Sequence, residues 1–192
     1  MMGNRGRLHD NYGVIRRLWQ AKRWLVGLLE FDGRHRQVMA PDRCTELFFL
    51  DEATALAAGH RPCFECRWGA YNAYAWAAGN GIDVTDGRPT AASIDDRLHE
   101  ERLGPGRSKR TFVEKIDGLP DGVFESLDKD EFRPYLLGGG HLLAWSPGGY
   151  TAVCPLAVGE VVSVLTPKST VAAMRAGYKP EVHPSGNGPW PS

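Results

Sequence analysis

Apolar residues fall into short runs separated by Gly, Pro, Asn and Asp, and few stretches keep one period for long. Arg23 to Phe31 (RWLVGLLEF) is an apolar run of strand length closed by an Asp32-Gly33 turn, and Arg34 to Met39 can return beside it as a second hairpin strand. Leu47 to Leu50 is a short apolar lead-in. Asp51 then stands where a helix N-cap is needed, the helix runs through Ala58, and Gly59 ends it in the left-handed conformation. Within Arg67 to Ala78, Trp68, Tyr71 and Trp76 recur at i, i+3 and i+8 among alanines, which predicts a helix with an aromatic face. Ser93 is placed to cap a helix over Ile94 to Arg102, and Leu103 to Arg110 (LGPGRSKR) is a basic glycine loop.

Further on, HLLAW, the turn Ser146-Pro147-Gly148-Gly149 and YTAVC predict a hairpin, and Glu160 to Leu165 adds a third strand. Thr166 caps a last helix with Pro167 in its first position and Gly177 beyond it. Met1 to Gly13, rich in Gly, Asn and Arg, reads as an arm, and Pro184 to Ser192 as a loose tail. The elements define an α+β protein, mainly antiparallel sheet with three or four short helices. A chain of 192 residues fits a single domain over 1-192.

The formal net charge is zero, so the chain as a whole is no polycation, but the charge is unevenly spread. Up to Arg43 there are nine Arg or Lys against four acids, with Trp19 and Trp24 interleaved. Clustered cations among aromatics suit a surface that follows phosphates, and a solvated basic face balanced by acids elsewhere fits as well. No apolar run reaches the length of a membrane span, and no apolar stretch follows the charged N-terminus. Four cysteines, two of them as Cys-x-x-Cys, suit metal or redox chemistry in a reducing compartment, so a cytoplasmic location is expected.

The stretch FFLDEATALAAGHRPCFECR (Phe48 to Arg67) combines an apolar pair, an acidic cap, an alanine-rich helix, Gly-aromatic-Arg-Pro-Cys, two residues and Cys. It resembles the second half of the zinc-binding module of the Ada-type adaptive-response DNA repair proteins. The resemblance covers about a tenth of the chain and implies zinc, DNA as a partner and a zinc-knuckle sub-lobe around 35-80. Physically, the left-handed Gly59 and rigid Pro62 aim Cys63, and the two-residue gap lets Cys63 and Cys66 offer thiolates to one tetrahedral zinc at about 2.3 Å. The alternative is a reduced or redox-active cysteine pair, for which no thioredoxin-like βαβ context is visible. The family's first Cys-x-x-x-Cys pair has no counterpart here. Cys44 lies nearby and His35 is the next donor, while His9, His60, His99 and Cys154 could reach the metal through the fold. Without that first pair, the family's methyl transfer is not implied.

A chain this much longer than the module is expected to do chemistry, and base excision on damaged or modified DNA is the leading expectation. Asp95, Asp96 and His99 lie on one helix just ahead of the loop carrying Arg107, Lys109 and Arg110. Carboxylates beside a phosphate-gripping loop suit a glycosylase, in which an acid stabilises a cationic sugar or activates water. A solvated helix with ordinary surface pairs is the plainer reading. Arg16, Arg17, Arg23, Arg61 and Arg67 are further candidates for phosphate contact, and Trp145 and Tyr150 for stacking on a flipped base. Two alternatives remain: a non-catalytic DNA-binding or regulatory protein with a structural zinc, and a zinc deaminase using Cys44-Thr45-Glu46 with Pro62-Cys63-Phe64-Glu65-Cys66.

Overall fold

The structure, a computed structural model, describes residues 1–34, 37–79, 89–127, 133–155 and 159–187. Its first sheet has four short strands in the order β3-β1-β2-β4: β1 (Met2–Asn4), β2 (Leu25–Gly27), β3 (Leu47–Phe48) and β4 (Arg61–Pro62). Strand β1 is antiparallel to both β2 and β3, and β2 runs parallel to β4. The segment expected to be an arm therefore supplies a central strand, and the described residues of the expected strand Arg34 to Met39 form no strand beside β2. Its described residues form turns, and His35 and Arg36 lie outside the described residues. The physical reason is Gly3. A side chain there would come within 2.7 Å of the Phe49 ring and 3.2 Å of His60, so only a glycine lets this strand settle between its neighbours.

The second sheet is antiparallel, in the order β5-β10-β6-β7-β8-β9. Its strands are β5 (Phe112–Lys115), β6 (Phe124–Ser126), β7 (Tyr135–Gly138), β8 (His141–Ser146), β9 (Gly149–Pro155) and β10 (Val161–Val164). The expected hairpin and third strand are β8, β9 and β10. Alternation along the strands divides the core. Leu137, Leu142 and Val164 face one apolar cluster, and Leu136, Leu143 and Leu165 face another.

Four helices are found among the described residues: α1 (Glu52–Ala57), α2 (Trp68–Gly79), α3 (Ala91–Arg102) and α4 (Lys168–Arg175). The fold is α+β, as expected. Helices α2, α3 and α4 cover the first face with Tyr74, Ile94, Leu98 and Val171, while Ala53 and Ala57 of α1 pack on the second. Two caps differ from expectation. The α3 cap is Thr90, whose hydroxyl accepts from the Ser93 N–H at 3.1 Å. Thr166 instead turns its hydroxyl to the Phe124 N–H at 2.9 Å, leaving Pro167 as the α4 cap. No helix among the described residues is long and apolar enough to cross a membrane.

The tail is bound as far as it is described. His183 N–H donates to Asp51 at 2.9 Å, and the turn Pro184–Asn187 places the Ser185 hydroxyl to accept from Tyr150 N–H at 2.9 Å. Residues 188–192 of the expected loose tail lie outside the described residues.

Glu125 is one of several buried polar groups that make no hydrogen bond among the described residues. Glu125 on β6 lies in register with Tyr135 and Val164, is fully buried, and has no hydrogen bond to either carboxylate oxygen. Burial, reinforced by Glu160, pushes its pKa up to about 8. A carboxyl raised in the folded state contributes stability in full below its unfolded value, near 4.5. That stability is lost as pH rises towards 8, at about 1.4 kcal/mol per pH unit at most. Denaturant melts from pH 4.5 to 8 should show this slope, and Glu125→Gln should flatten it and raise stability at the alkaline end.

Candidate metal centre

Two cysteines meet because β2 and β4 run side by side. Cys63, the first residue after β4, donates its backbone N–H to Val26 O at 2.8 Å and so continues the pairing. Its carbonyl then accepts from Arg67 N–H at 3.1 Å, which folds residues 63–67 into a tight turn. From there the chain passes directly into α2, where Arg67 O accepts from Tyr71 N–H at 2.8 Å. Upstream, Asp51 caps α1 by accepting from Thr54 N–H at 2.8 Å, and Gly59 takes a φ of +84° to turn the chain into β4. These are the cap and turn anticipated from the sequence.

The turn carries Cys63 and Cys66 into a cavity of about 240 Å³ shared with Glu46, Glu65, Arg34 and a rim that includes Leu28, Leu29, Val38 and Phe48. Gly27 forms the wall behind the sulfurs. A Cβ there would stand 2.7 Å from Cys66 Sγ and 3.7 Å from Cys63 Cβ, so the strand can approach the thiols only without a side chain. Burial pushes the Cys66 thiol up, and its hydrogen bond and charge interaction with Cys63 push the same way. The Leu28 backbone acts in the opposite sense and favours the thiolate. A thiol held up in this way, as Cys66 is, gives up its proton when a cation binds beside it. The donors suit zinc, which is soft enough for thiolates and accepts carboxylate oxygen. Among the described residues, however, no third His, Cys, Asp or Glu joins the two sulfurs as placed. Glu46 and Glu65 are the other donors lining the cavity. Glu46 accepts from Met39 N–H at 3.0 Å, and Glu65 pairs with Arg34 at 2.7 Å.

The remaining expected ligands are dispersed. Cys44 is exposed and does not line the cavity. His35 and the Cys154 side chain lie outside the described residues. His9 is buried, with Nδ1 2.6 Å from the Thr45 hydroxyl and Nε2 3.2 Å from Ala40 O, so it holds the 40–45 loop. His60 is fully buried and packs against Trp24 and Phe49, and burial followed by Arg5 and Arg102 keeps it neutral.

The expected catalytic cluster lies on α3, but its members face different partners. Asp95 is buried and receives two hydrogen bonds from Arg61, both at 2.8 Å. Asp96 is exposed and bonds Lys22 at 2.7 Å. The His99 ring lies 4.7 Å from Trp19, with Nδ1 3.2 Å from an Arg102 nitrogen, and burial lowers its pKa. Arg61 and Arg67 are buried in ion pairs with Asp95 and with Glu52 and Glu181, so as placed neither reaches a phosphate. Tyr150 is buried too, its hydroxyl donating to Asp51 at 2.6 Å, and Trp145 is half-buried.

Of the cations expected to contact phosphate, those facing solvent are Arg16, Arg17 and Arg23 near the N-terminal end and Arg107, Lys109 and Arg110 beyond α3. Arg16 pairs with Asp10, whereas the side chains of Arg17 and Arg23 make no ion pair among the described residues. Sequence reasoning passed over Gly27 and Arg34, whose roles depend on neighbours distant in the chain. Glu65 had a local signal, since it lies inside the Cys-x-x-Cys itself.

No protein-family model, curated protein or solved structure matched the chain.

Purified protein should carry about one zinc per chain by elemental analysis. Cys63→Ser and Cys66→Ser should each lose the metal and lower the melting temperature, and Gly27→Ala should weaken binding by crowding Cys66 Sγ. Metal-free protein that melts unchanged would remove the assignment.

Proposed function

We propose that the protein is a zinc-binding protein that acts on damaged or modified DNA, with base excision as its reaction. The observation carrying this reading is that both thiols of the Cys-x-x-Cys turn and two carboxylates line the same open cavity. Cys63 and Cys66 hold the zinc, and the metal would supply a fixed positive charge and Lewis acidity at the cavity floor.

The remaining chemistry falls to the chain's own groups. Glu46 is steadied through one oxygen by Met39 N–H, leaving the rest of the carboxylate to face a cationic sugar or take a proton from water. Glu65 is oriented by Arg34, itself over the Phe31 ring, and this ion pair sets the polarity of one wall. The apolar rim excludes water from a base turned out of the duplex. In this arrangement Asp95 serves the fold, since its carboxylate is already bound by Arg61.

The commitment of Asp95, Asp96 and Tyr150 to protein partners favours a second reading, a non-catalytic DNA-binding protein with a structural zinc. Abasic-site formation on duplexes carrying a panel of modified bases separates the two. If excision occurs, Glu46→Gln should lower its rate by a factor of about 10² or more while leaving binding intact. If no duplex in the panel yields abasic sites, the binding reading stands instead.

Affinity for DNA should fall steeply with salt, and replacing Arg16, Arg17 and Arg23 by Gln should reduce that slope. Absence of binding at low salt to every duplex and single strand tried would end the DNA proposal.

A further inference from the structure

A second feature lies where β1, β2, the end of α1 and the end of α3 converge. Arg5 and Arg102 both place their guanidinium carbons over the Trp24 ring, 4.0 Å and 3.8 Å from its centroid. Arg5 Nε also donates to His60 Nε2 at 3.4 Å. Lys109, from the basic glycine loop, donates to Ala57 O at 2.8 Å, and Arg102 donates to Gly59 O at 2.8 Å. Two of the three cations thus satisfy carbonyls at the C-terminal end of α1.

Among the described residues no carboxylate forms an ion pair with Arg5, Arg102 or Lys109. Asp95 acts on Arg102 from nearby, but it is bonded to Arg61. His60 is neutral and adds no counter-charge. Within this group two buried donor atoms make no hydrogen bond among the described residues: Arg102 Nε and His60 Nδ1, the latter carrying its ring proton because Nε2 accepts from Arg5. The three cations also repel one another. Burial lowers all three pKa values, and the two guanidiniums help bring the Lys109 ammonium down to about 8. Arg102 is buried and Arg5 half-buried, while Lys109 keeps an exposed side although its ammonium end is drawn in against Ala57 O, so the group meets solvent on one side.

We infer that Arg5, Lys109 and the fixed guanidinium of Arg102 behind them form a binding site for a tetrahedral oxyanion, a phosphate group in particular. Arg5 and Lys109 contact the anion. Arg102, held by two carbonyls and the Trp24 ring, contributes charge without having to be ordered on binding. The site takes either free phosphate or a phosphate of a nucleic acid backbone. In the second case the inference rests on the DNA reading above.

The test is thermal melting of the full chain in sodium phosphate or sodium sulfate against sodium chloride at matched ionic strength. At about 20 mM oxyanion the melting temperature should rise by about 3 °C and then saturate. Arg5→Gln and Lys109→Gln should each abolish the saturable rise. Lys109→Gln keeps the test usable if Arg5→Gln does not fold, because Lys109 lies at the surface. A rise equal in chloride, or unchanged in the Lys109 variant, marks general salt stabilisation and overturns the site. Duplex binding supplies a second arm. Oxyanion stabilisation without DNA affinity keeps the site and removes the DNA reading. DNA affinity with a salt slope unaltered by Lys109→Gln, and no oxyanion effect, removes the site and keeps that reading.

Discussion

Glu52 and Arg67 are each almost fully buried, and their ion pair ties together the two helices that flank the Cys-x-x-Cys turn. Glu52 opens α1 and Arg67 directly follows Cys66, so the bond joins the helix before the Cys-x-x-Cys turn to the start of the helix after it. Such a pair holds only when its remaining hydrogen-bonding capacity is used, and here it is. Tyr178 donates to one Glu52 oxygen at 2.6 Å, Glu181 N–H donates to the other at 2.9 Å, and the Glu181 carboxylate takes a second Arg67 nitrogen at 2.7 Å. Removing one member would leave a buried charge uncompensated, which typically costs about 3–5 kcal/mol. The adjoining Asp51 repeats the pattern, capping α1 while accepting from Tyr150 and His183.

Much of this was legible along the chain and some of it was not. The α1 cap, the Gly59 turn, the β8–β9 hairpin and β10 depend on local chemistry, and they lie where Asp51, Gly59, Pro147-Gly148 and the apolar run at 160–165 place them. The central position of β1 was hidden, because MGN has no strand-like composition and is recruited by a close approach to Phe49 and His60. The same difficulty affected the polar residues. Asp95 and Arg61 look like an acid and a surface cation until the 34-residue interval between them closes into a buried pair. Spacing identifies which residues share a helix face, but not which side chain from elsewhere is already bound to them.

The cavity and the Trp24 cluster handle charge in opposite ways. In the first, two thiols and two carboxylates gather around one guanidinium, and the excess is negative. In the second, two guanidiniums lie over an indole with Lys109 beside them, and no carboxylate among the described residues is paired to the three. A protein with a formal charge of zero has thus sorted its charge by location, which is what separate cation and anion sites require.

The anchoring of residues 178–183 onto Asp51 and Glu52 also bears on the order of events in folding. The bonds that complete those acids close loops of 126 to 132 residues, among the longest closures described in the molecule. Contacts this distant form late, since most of the chain has to be ordered before they yield any return. Until then, α1 presents two carboxylates that lack their final donors. The Cys-x-x-Cys turn, though made almost wholly from local sequence, therefore reaches its finished geometry only when the other end of the fold arrives.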